Sequence, residues 1–139
     1  MNILVVGFGK MGMLHAATLK ALRPRSQLII CDPSGIIGAG LSRFLPQAKF
    51  YNDLDRALES QKTDLAVVAA PNGAHFGIFQ KLITHNIHML VEKPFVTDFQ
   101  EARLVHQRLM PAAEARRPIP KVMVGYCLRF VQTFEMAKD

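Results

Sequence analysis

Six residues near the start of the chain restrict its fold more than any other feature. Gly7-Phe8-Gly9-Lys10-Met11-Gly12 has the spacing G-x-G-x-x-G, comes directly after the apolar run Asn2 to Val6, and opens a stretch with helical periodicity. In a strand–turn–helix unit each glycine has its own steric reason. Gly7 permits the tight turn, Gly9 removes the side chain that would block a pyrophosphate, and Gly12 lets the helix pack closely on the strand. The amino end of such a helix presents free N–H groups and the positive end of its dipole to phosphates. Phe8, Lys10 and Met11 sit at the same turn and join the three glycines as candidate cofactor-binding residues. A glycine-rich turn can also be a plain connector, so its weight depends on the rest of the chain.

The rest of the chain alternates. Asn2 to Val6, Leu28 to Cys31, Lys49 to Tyr51, Leu65 to Ala70, His88 to Glu92 and Lys121 to Gly125 read as strands, several of them apolar on both faces as in a buried parallel sheet. Between the first two, Met11, Leu14, Thr18 and Leu22 recur at helical spacing until Arg23-Pro24 ends the pattern. A glycine-rich helix is expected from Ser34 to Leu45, and Asp53 can cap a short one through Leu58. Phe76, Phe79, Leu82 and Ile83 share one face of a helix from Ala74 to His85, and Asn86 is suited to the left-handed geometry that closes it. Thr97 and Gln100 have capping-box spacing before a helix to Met110 whose buried stripe would be Phe99, Ala102, Val105 and Leu109. Pro111 to Pro120 reads as a loop. Six strands alternating with helices specify an α/β fold, a doubly wound parallel sheet of strand order 3-2-1-4-5-6.

Composition excludes other classes. The chain of 139 residues is half apolar and one-fifth charged, which fits one globular domain able to bury a core without a metal or disulfide. Its longest uninterrupted apolar run, Leu65 to Ala70, is far short of the ~20 residues that cross a bilayer. The N-terminus has neither the basic flank nor the apolar length of a signal peptide, so a cytoplasmic location is expected. Cys31 and Cys127 lack Cys-x-x-Cys or histidine neighbours and read as buried thiols; three intervening strands at ~4.8 Å spacing would hold them about 19 Å apart, too far for a disulfide. The net charge of +6 raises the question of nucleic acid. Its only local concentration, Arg103, Arg108, Arg116, Arg117 and Lys121, is mixed with Glu101 and Glu114 and has no interleaved aromatics, so a solvated face is the expectation.

The strand ends carry the chemistry. Asp32 stands 20 residues after Gly12, where a carboxylate can accept hydrogen bonds from the adenosine ribose hydroxyls; a turn aspartate before Pro33 is the alternative. A carboxylate there repels a 2′-phosphate, which favours NAD over NADP. Strand four runs into Ala69-Ala70-Pro71-Asn72-Gly73-Ala74-His75, placing Ala70, Pro71, Asn72 and His75 at the same edge of the sheet, where a neutral His75 could contact a cofactor. Strand five ends in Glu92-Lys93-Pro94, which as an isolated pattern would be a surface ion pair at a strand end.

Taken together, the opening G-F-G-K-M-G, Asp32, Pro71-Asn72 with His75, Glu92-Lys93-Pro94, and Val124-Gly125-Tyr126 leading to Arg129-Phe130 resemble the N-terminal domain of the glucose-fructose oxidoreductase, inositol dehydrogenase and rhizopine-catabolism (Gfo/Idh/MocA) family. The resemblance implies a Rossmann domain of a nicotinamide-dependent oxidoreductase acting on sugars, polyols or related molecules. It implies Lys93 as the catalytic residue assisting proton transfer, with Glu92 beside it near the nicotinamide and Pro94 after a cis bond. A lysine crowded by cofactor and pocket walls can have its proton affinity lowered into a useful range. Cys127 stands where relatives often have asparagine.

The resemblance divides the chain into a dinucleotide-binding domain over residues 1–130 and, in 131–139, the start of a second, substrate-bearing domain. On that reading the chain holds NAD and is incomplete for turnover. A non-catalytic dinucleotide-binding module is the alternative, and a methyltransferase-like fold would share the glycine turn and the acid but leave Glu92-Lys93-Pro94 without a task. Expected partners are the dinucleotide and a small-molecule substrate, with neither nucleic acid nor membrane, and self-association through Phe130, Val131 and Phe134 as a homo-oligomer.

Overall fold

The apolar runs do become buried strands. The computed structural model describes residues 1–114 and 119–131 and contains β1 (Asn2–Val6), β2 (Gln27–Cys31), β3 (Lys49–Tyr51), β4 (Leu65–Val68), β5 (His88–Val91) and β6 (Val122–Val124), all parallel, in the order β3-β2-β1-β4-β5-β6. The connecting helices are α1 (Lys10–Leu22), α2 (Gly35–Phe44), α3 (Leu54–Ser60), α4 (His75–Thr84) and α5 (Phe99–Glu114). This is the doubly wound sheet expected from the alternation.

Each face of the sheet has its own core. Leu4, Val6, Ile29, Cys31, Ala66, Val68, Met89 and Val91 face α3, α4 and α5, while Ile3, Val5, Leu28, Ile30 and Val67 face α1 and α2. Burial on both sides explains why these strands are uniformly apolar rather than alternating. Phe79 at the centre of α4 is fully buried, with Phe95 set edge-on at 5.2 Å between ring centroids and Phe76 at 6.4 Å. Burying such a ring is worth about 1.5–3 kcal/mol, which seats α4 firmly. Asn86 has φ +55° and closes α4 as its residue type suggests. Gly38 in α2 lies against the Phe50 ring; a Cβ there would come within 2.5 Å of it. That close approach accounts for one of the glycines that weaken α2 by propensity.

Several expectations are corrected. The α1 positions turned to the sheet are Gly12 and Ala16, with Leu19 partly covered, so Met11, Leu14 and Leu22 point outward and Leu14 is 57% exposed. Gly12 has to face the strand it packs on, and that sets the phase of the helix. In α5 the cap is Asp98, whose Oδ1 accepts the Gln100 and Glu101 N–H groups, while Glu101 Oε2 accepts the Thr97 N–H; the box is one residue later than Thr97 and Gln100. That shift leaves Phe99 79% exposed and Ala102 exposed, with Val105 and Leu109 carrying the contact to the core. The helix also continues past Pro111 to Glu114, into the stretch expected as a loop, although proline forfeits one N–H; Ala112-Ala113 favour helix. Cys127 is exposed because β6 is an edge strand and the turn Cys127–Phe130 lies beyond it; Cys31 is buried as expected. Arg116, Arg117 and Phe134 lie outside the described residues.

Candidate functional site

Strand register assembles the site. Tyr51, Cys31, Val6, Val68, Val91 and Val124 stand side by side as the last residues of their strands. Their successors therefore form a row along the carboxyl edge: Asn52, Asp32, Gly7, Ala69, Glu92 and Gly125. Backbone hydrogen bonds continue the ladder into that row. The Asp32 N–H donates to Tyr51 O at 3.0 Å, Gly7 N–H to Cys31 O at 2.8 Å, Ala69 N–H to Val6 O at 2.8 Å, Glu92 N–H to Val68 O at 2.9 Å, and Gly125 N–H to Val91 O at 2.8 Å. In open α/β sheets this edge, at the point where strand order reverses between β1 and β4, is where ligands bind.

The three motif glycines have different surroundings. Gly7 has φ +87°, and a Cβ on it would lie 2.5 Å from the Ala70 backbone nitrogen; a Cβ on Gly12 would strike the Gly7 carbonyl. A Cβ on Gly9, in contrast, meets no protein atom within 4 Å. Two glycines are thus required by the protein's own packing, and the third faces open space. Lys10 and Met11 are exposed at the first turn of α1, and Phe8 is tucked against the core.

Asp32 joins the turn from the next strand. It is 8% exposed; Oδ2 accepts the Phe8 N–H at 2.7 Å and Oδ1 accepts the Ser34 N–H at 2.9 Å. The second bond is the turn role considered for this residue, and the first ties the glycine loop to the end of β2. Behind it, burial, and after it the Asp53 and Asp32 carboxylates, pushes the Cys31 thiol from 9.0 up to about 11, which keeps it neutral.

On the other half of the edge, Pro71 and Asn72 are exposed, Ala70 is half-buried, and a short turn over Asn72–Ala74 leads into α4. His75, expected as a possible cofactor contact, is placed behind the edge. It is 1% exposed, with Nδ1 2.8 Å from the Pro94 carbonyl oxygen and Nε2 2.7 Å from the Ala70 carbonyl oxygen. Its ring lies behind the edge because α4 begins there with its apolar face already against the sheet.

The Lys93–Pro94 peptide is cis and Lys93 is exposed. Among the described residues no carboxylate forms an ion pair with Lys93, so the surface pair between Glu92 and Lys93 does not exist. Glu92 turns the other way, toward α1, where its Oε1 lies 2.8 Å from His15 Nε2 while Oε2 accepts the Lys93 N–H at 3.3 Å. A Cβ on Gly125 would stand 3.3 Å from Glu92 Oε2, so glycine at the end of β6 clears space for this carboxylate. His15 is a site residue that sequence reading missed. A signal existed: Gly12 sets the helix phase, and His15, three positions on, flanks the inward face.

Among the described residues no cluster of three or more His, Cys, Asp and Glu could hold a metal, and no helix is long and apolar enough to cross a membrane. A cavity of about 400 Å³ bordered by Lys20, Ser26 and Gln47 lies at the opposite edge, where strands begin, away from every motif residue.

Residues 1–117 match the oxidoreductase family with an NAD-binding Rossmann fold known as Gfo/Idh/MocA. An inositol 2-dehydrogenase of Arthrobacter sp. (strain FB24) is 26% identical over 131 residues, covering 94% of this chain and 37% of the relative. A scyllo-inositol 2-dehydrogenase (NAD(+)) of Bacillus subtilis (strain 168) is 24% identical over 135 residues, covering 96% of this chain and 38% of the relative. The crystal structure of scyllo-inositol dehydrogenase from Lactobacillus casei with bound NAD(H) and scyllo-inositol superposes with a TM-score of 0.84 at 20% identity, over 99% of this chain and 39% of that one. The chain therefore spans about two-fifths of the length of these relatives.

Proposed function

The chain belongs to the Gfo/Idh/MocA oxidoreductase family, and from that premise we propose that it binds NAD(H) along the carboxyl edge as the nucleotide half of a dehydrogenase acting on a sugar, polyol or related small molecule. The observation that carries this is the paired behaviour of the glycine turn. Gly7 and Gly12 are closed by protein atoms, Gly9 is open, and the Phe8–Asp32 bond holds the whole turn against the acid at the end of β2.

The residues present fit the cofactor. Gly9 and the first N–H groups of α1, from Lys10 and Met11 onward, would face the pyrophosphate. Asp32 has lone pairs left for ribose hydroxyls and a charge that disfavours a 2′-phosphate, so NAD is preferred to NADP. Ala70, Pro71, Asn72, Glu92 and Lys93 would border the nicotinamide end. When bound, the cofactor would accept a hydride from a carbinol carbon or, in reverse, give one to the corresponding carbonyl carbon. Lys93 takes or returns the hydroxyl proton at Nζ, a task for which an amine with no carboxylate partner is suited. Glu92, occupied by His15, is a neighbour of that lysine and not its counter-ion.

Residues 1–130 form the dinucleotide-binding domain on this proposal, and residues 131–139 begin a second, substrate-bearing domain, in keeping with the two-fifths coverage of the relatives. Held substrate and exclusion of water need walls beyond those of the nucleotide half, so the 139-residue chain binds cofactor without turnover. Self-association would proceed through Phe130, which is 67% exposed, and Val131. Cytoplasmic residence, where NAD(H) is available, completes the reading. The test is fluorescence titration with NADH: wild type binds, and Gly9→Val loses at least a hundredfold in affinity while keeping its circular dichroism and melting temperature. Wild-type affinity in that variant would refute the assigned role of the turn. Substrate-dependent NADH oxidation by the chain alone would refute the separation of binding from turnover.

A further inference from the structure

His75 is the most buried titratable residue at the edge and never reaches the surface on which a cofactor would lie. Its two ring nitrogens nonetheless address two different loops. Nε2 faces Ala70 O, in the segment that leaves β4, and Nδ1 faces Pro94 O, in the segment that leaves β5. Carbonyl oxygens only accept, so each contact is a hydrogen bond whenever that nitrogen carries a proton. A neutral ring makes one of them and the imidazolium makes both. The ring projects from the first residue of α4, a helix seated by Phe79 and Leu82 in the core. The β5 loop is also held to the same helix one residue further on, where the Phe95 ring meets Phe79 edge-on. Ala70 and Pro94 are therefore gauged from one fixed strut.

These two loops carry Ala70, Pro71 and Asn72 on one side and Glu92 and Lys93 on the other. In a doubly wound fold each half of the sheet takes one mononucleotide, and the β4–β5–β6 half is the one opposite Asp32. We propose that His75 is a positioning residue for the nicotinamide end of the cofactor: it sets the gap between the β4 and β5 loops without touching the ligand. This rests on the proposed binding of NAD(H), and it makes a claim which that proposal does not, namely that one buried side chain governs one end of the dinucleotide and not the other.

Calorimetric titration with NADH and with ADP-ribose, which lacks the nicotinamide, separates the two ends. Wild type should bind NADH more tightly than ADP-ribose. His75→Leu, of similar bulk and without donors, should lose about tenfold in NADH affinity, equivalent to about 1.4 kcal/mol, and leave ADP-ribose affinity within a factor of two. His75→Gln, whose amide nitrogen offers two N–H donors, should recover most of the loss. Unchanged NADH affinity in His75→Leu would overturn the proposal, as would a parallel fall for both ligands, which would make His75 an ordinary core residue. Failure of wild type to bind either ligand would instead remove the NAD reading and this inference with it.

Discussion

The two halves of the sheet build their carboxyl edges by different means. In the β1–β3 half, the turn after β1 is shaped by backbone: positive φ at Gly7, the close approach of Gly12, and a single carboxylate, Asp32, accepting the Phe8 N–H. In the β4–β6 half, imidazoles do the holding, His75 against Ala70 and Pro94, and His15 against Glu92. The first half is thus a rigid frame set by local sterics, and the second is a pair of loops adjusted by side chains from helices. A frame fails all at once when a Cβ is added, whereas a loop held by an imidazole is displaced by degrees.

The sharpest way to break this contrast is inside the frame itself. Gly7→Ala puts a side chain at φ +87° and 2.5 Å from backbone that cannot yield. It should cost about 3 kcal/mol or more, a drop of roughly 10 °C in melting temperature for a chain of this size. Gly9→Ala, in open space, should move the melting temperature by less than about 1 °C. Differential scanning calorimetry on the two variants reads the difference directly. Equal shifts would mean that the glycine turn is not a steric frame.

The contrast also explains what the sequence could and could not reveal. The frame is legible because its parts are close in sequence or fixed in type: glycines at set spacing, an acid 20 residues after the last of them, and apolar runs that only a doubly covered sheet can bury. Strand order follows from the strand–helix alternation of a doubly wound sheet with right-handed crossovers. The helix faces were harder. Met11, Leu14, Thr18 and Leu22 form a respectable apolar stripe, and only the packing of Gly12 on β1 shows that it faces outward. Least legible were the imidazoles. His15 finds its partner 77 residues away and His75 one of its partners 19 residues away, separations set by topology that no local pattern encodes. Lys93 was readable as a motif member, but its freedom from Glu92 became visible only once His15 had claimed that carboxylate.

A smaller effect is expected where the frame meets its ligand. Asp32→Ser removes the charge proposed to face the ribose while a hydroxyl can still engage a backbone N–H, so the fold should survive. The preference for NADH over NADPH, measured by titration with each, should narrow by about tenfold, or about 1.4 kcal/mol, with most of the change coming from gained NADPH affinity. A preference that stays as wide as in wild type would take cofactor choice away from Asp32 and place it elsewhere on the edge.

The smallest effect probes a side-chain link between the two halves. His15 belongs to α1, the helix of the frame, yet its partner Glu92 belongs to the end of β5, and both side chains are mostly covered, at 21% and 14% exposure. A bond to a carboxylate in such a place contributes about 1 kcal/mol, less than a buried pair and more than a surface one. His15→Ala should therefore lower the melting temperature by about 3 °C, and Glu92→Ala by a similar amount. The double variant His15→Ala/Glu92→Ala should lose little more than either alanine change alone, because each of these already breaks the same bond, whereas Glu92→Gln keeps an acceptor oxygen. His15→Gln, which keeps a donor on α1, should lie between wild type and His15→Ala. Additive losses in the double variant would mean that the two residues act separately, and that frame and loops meet only through the strands between them.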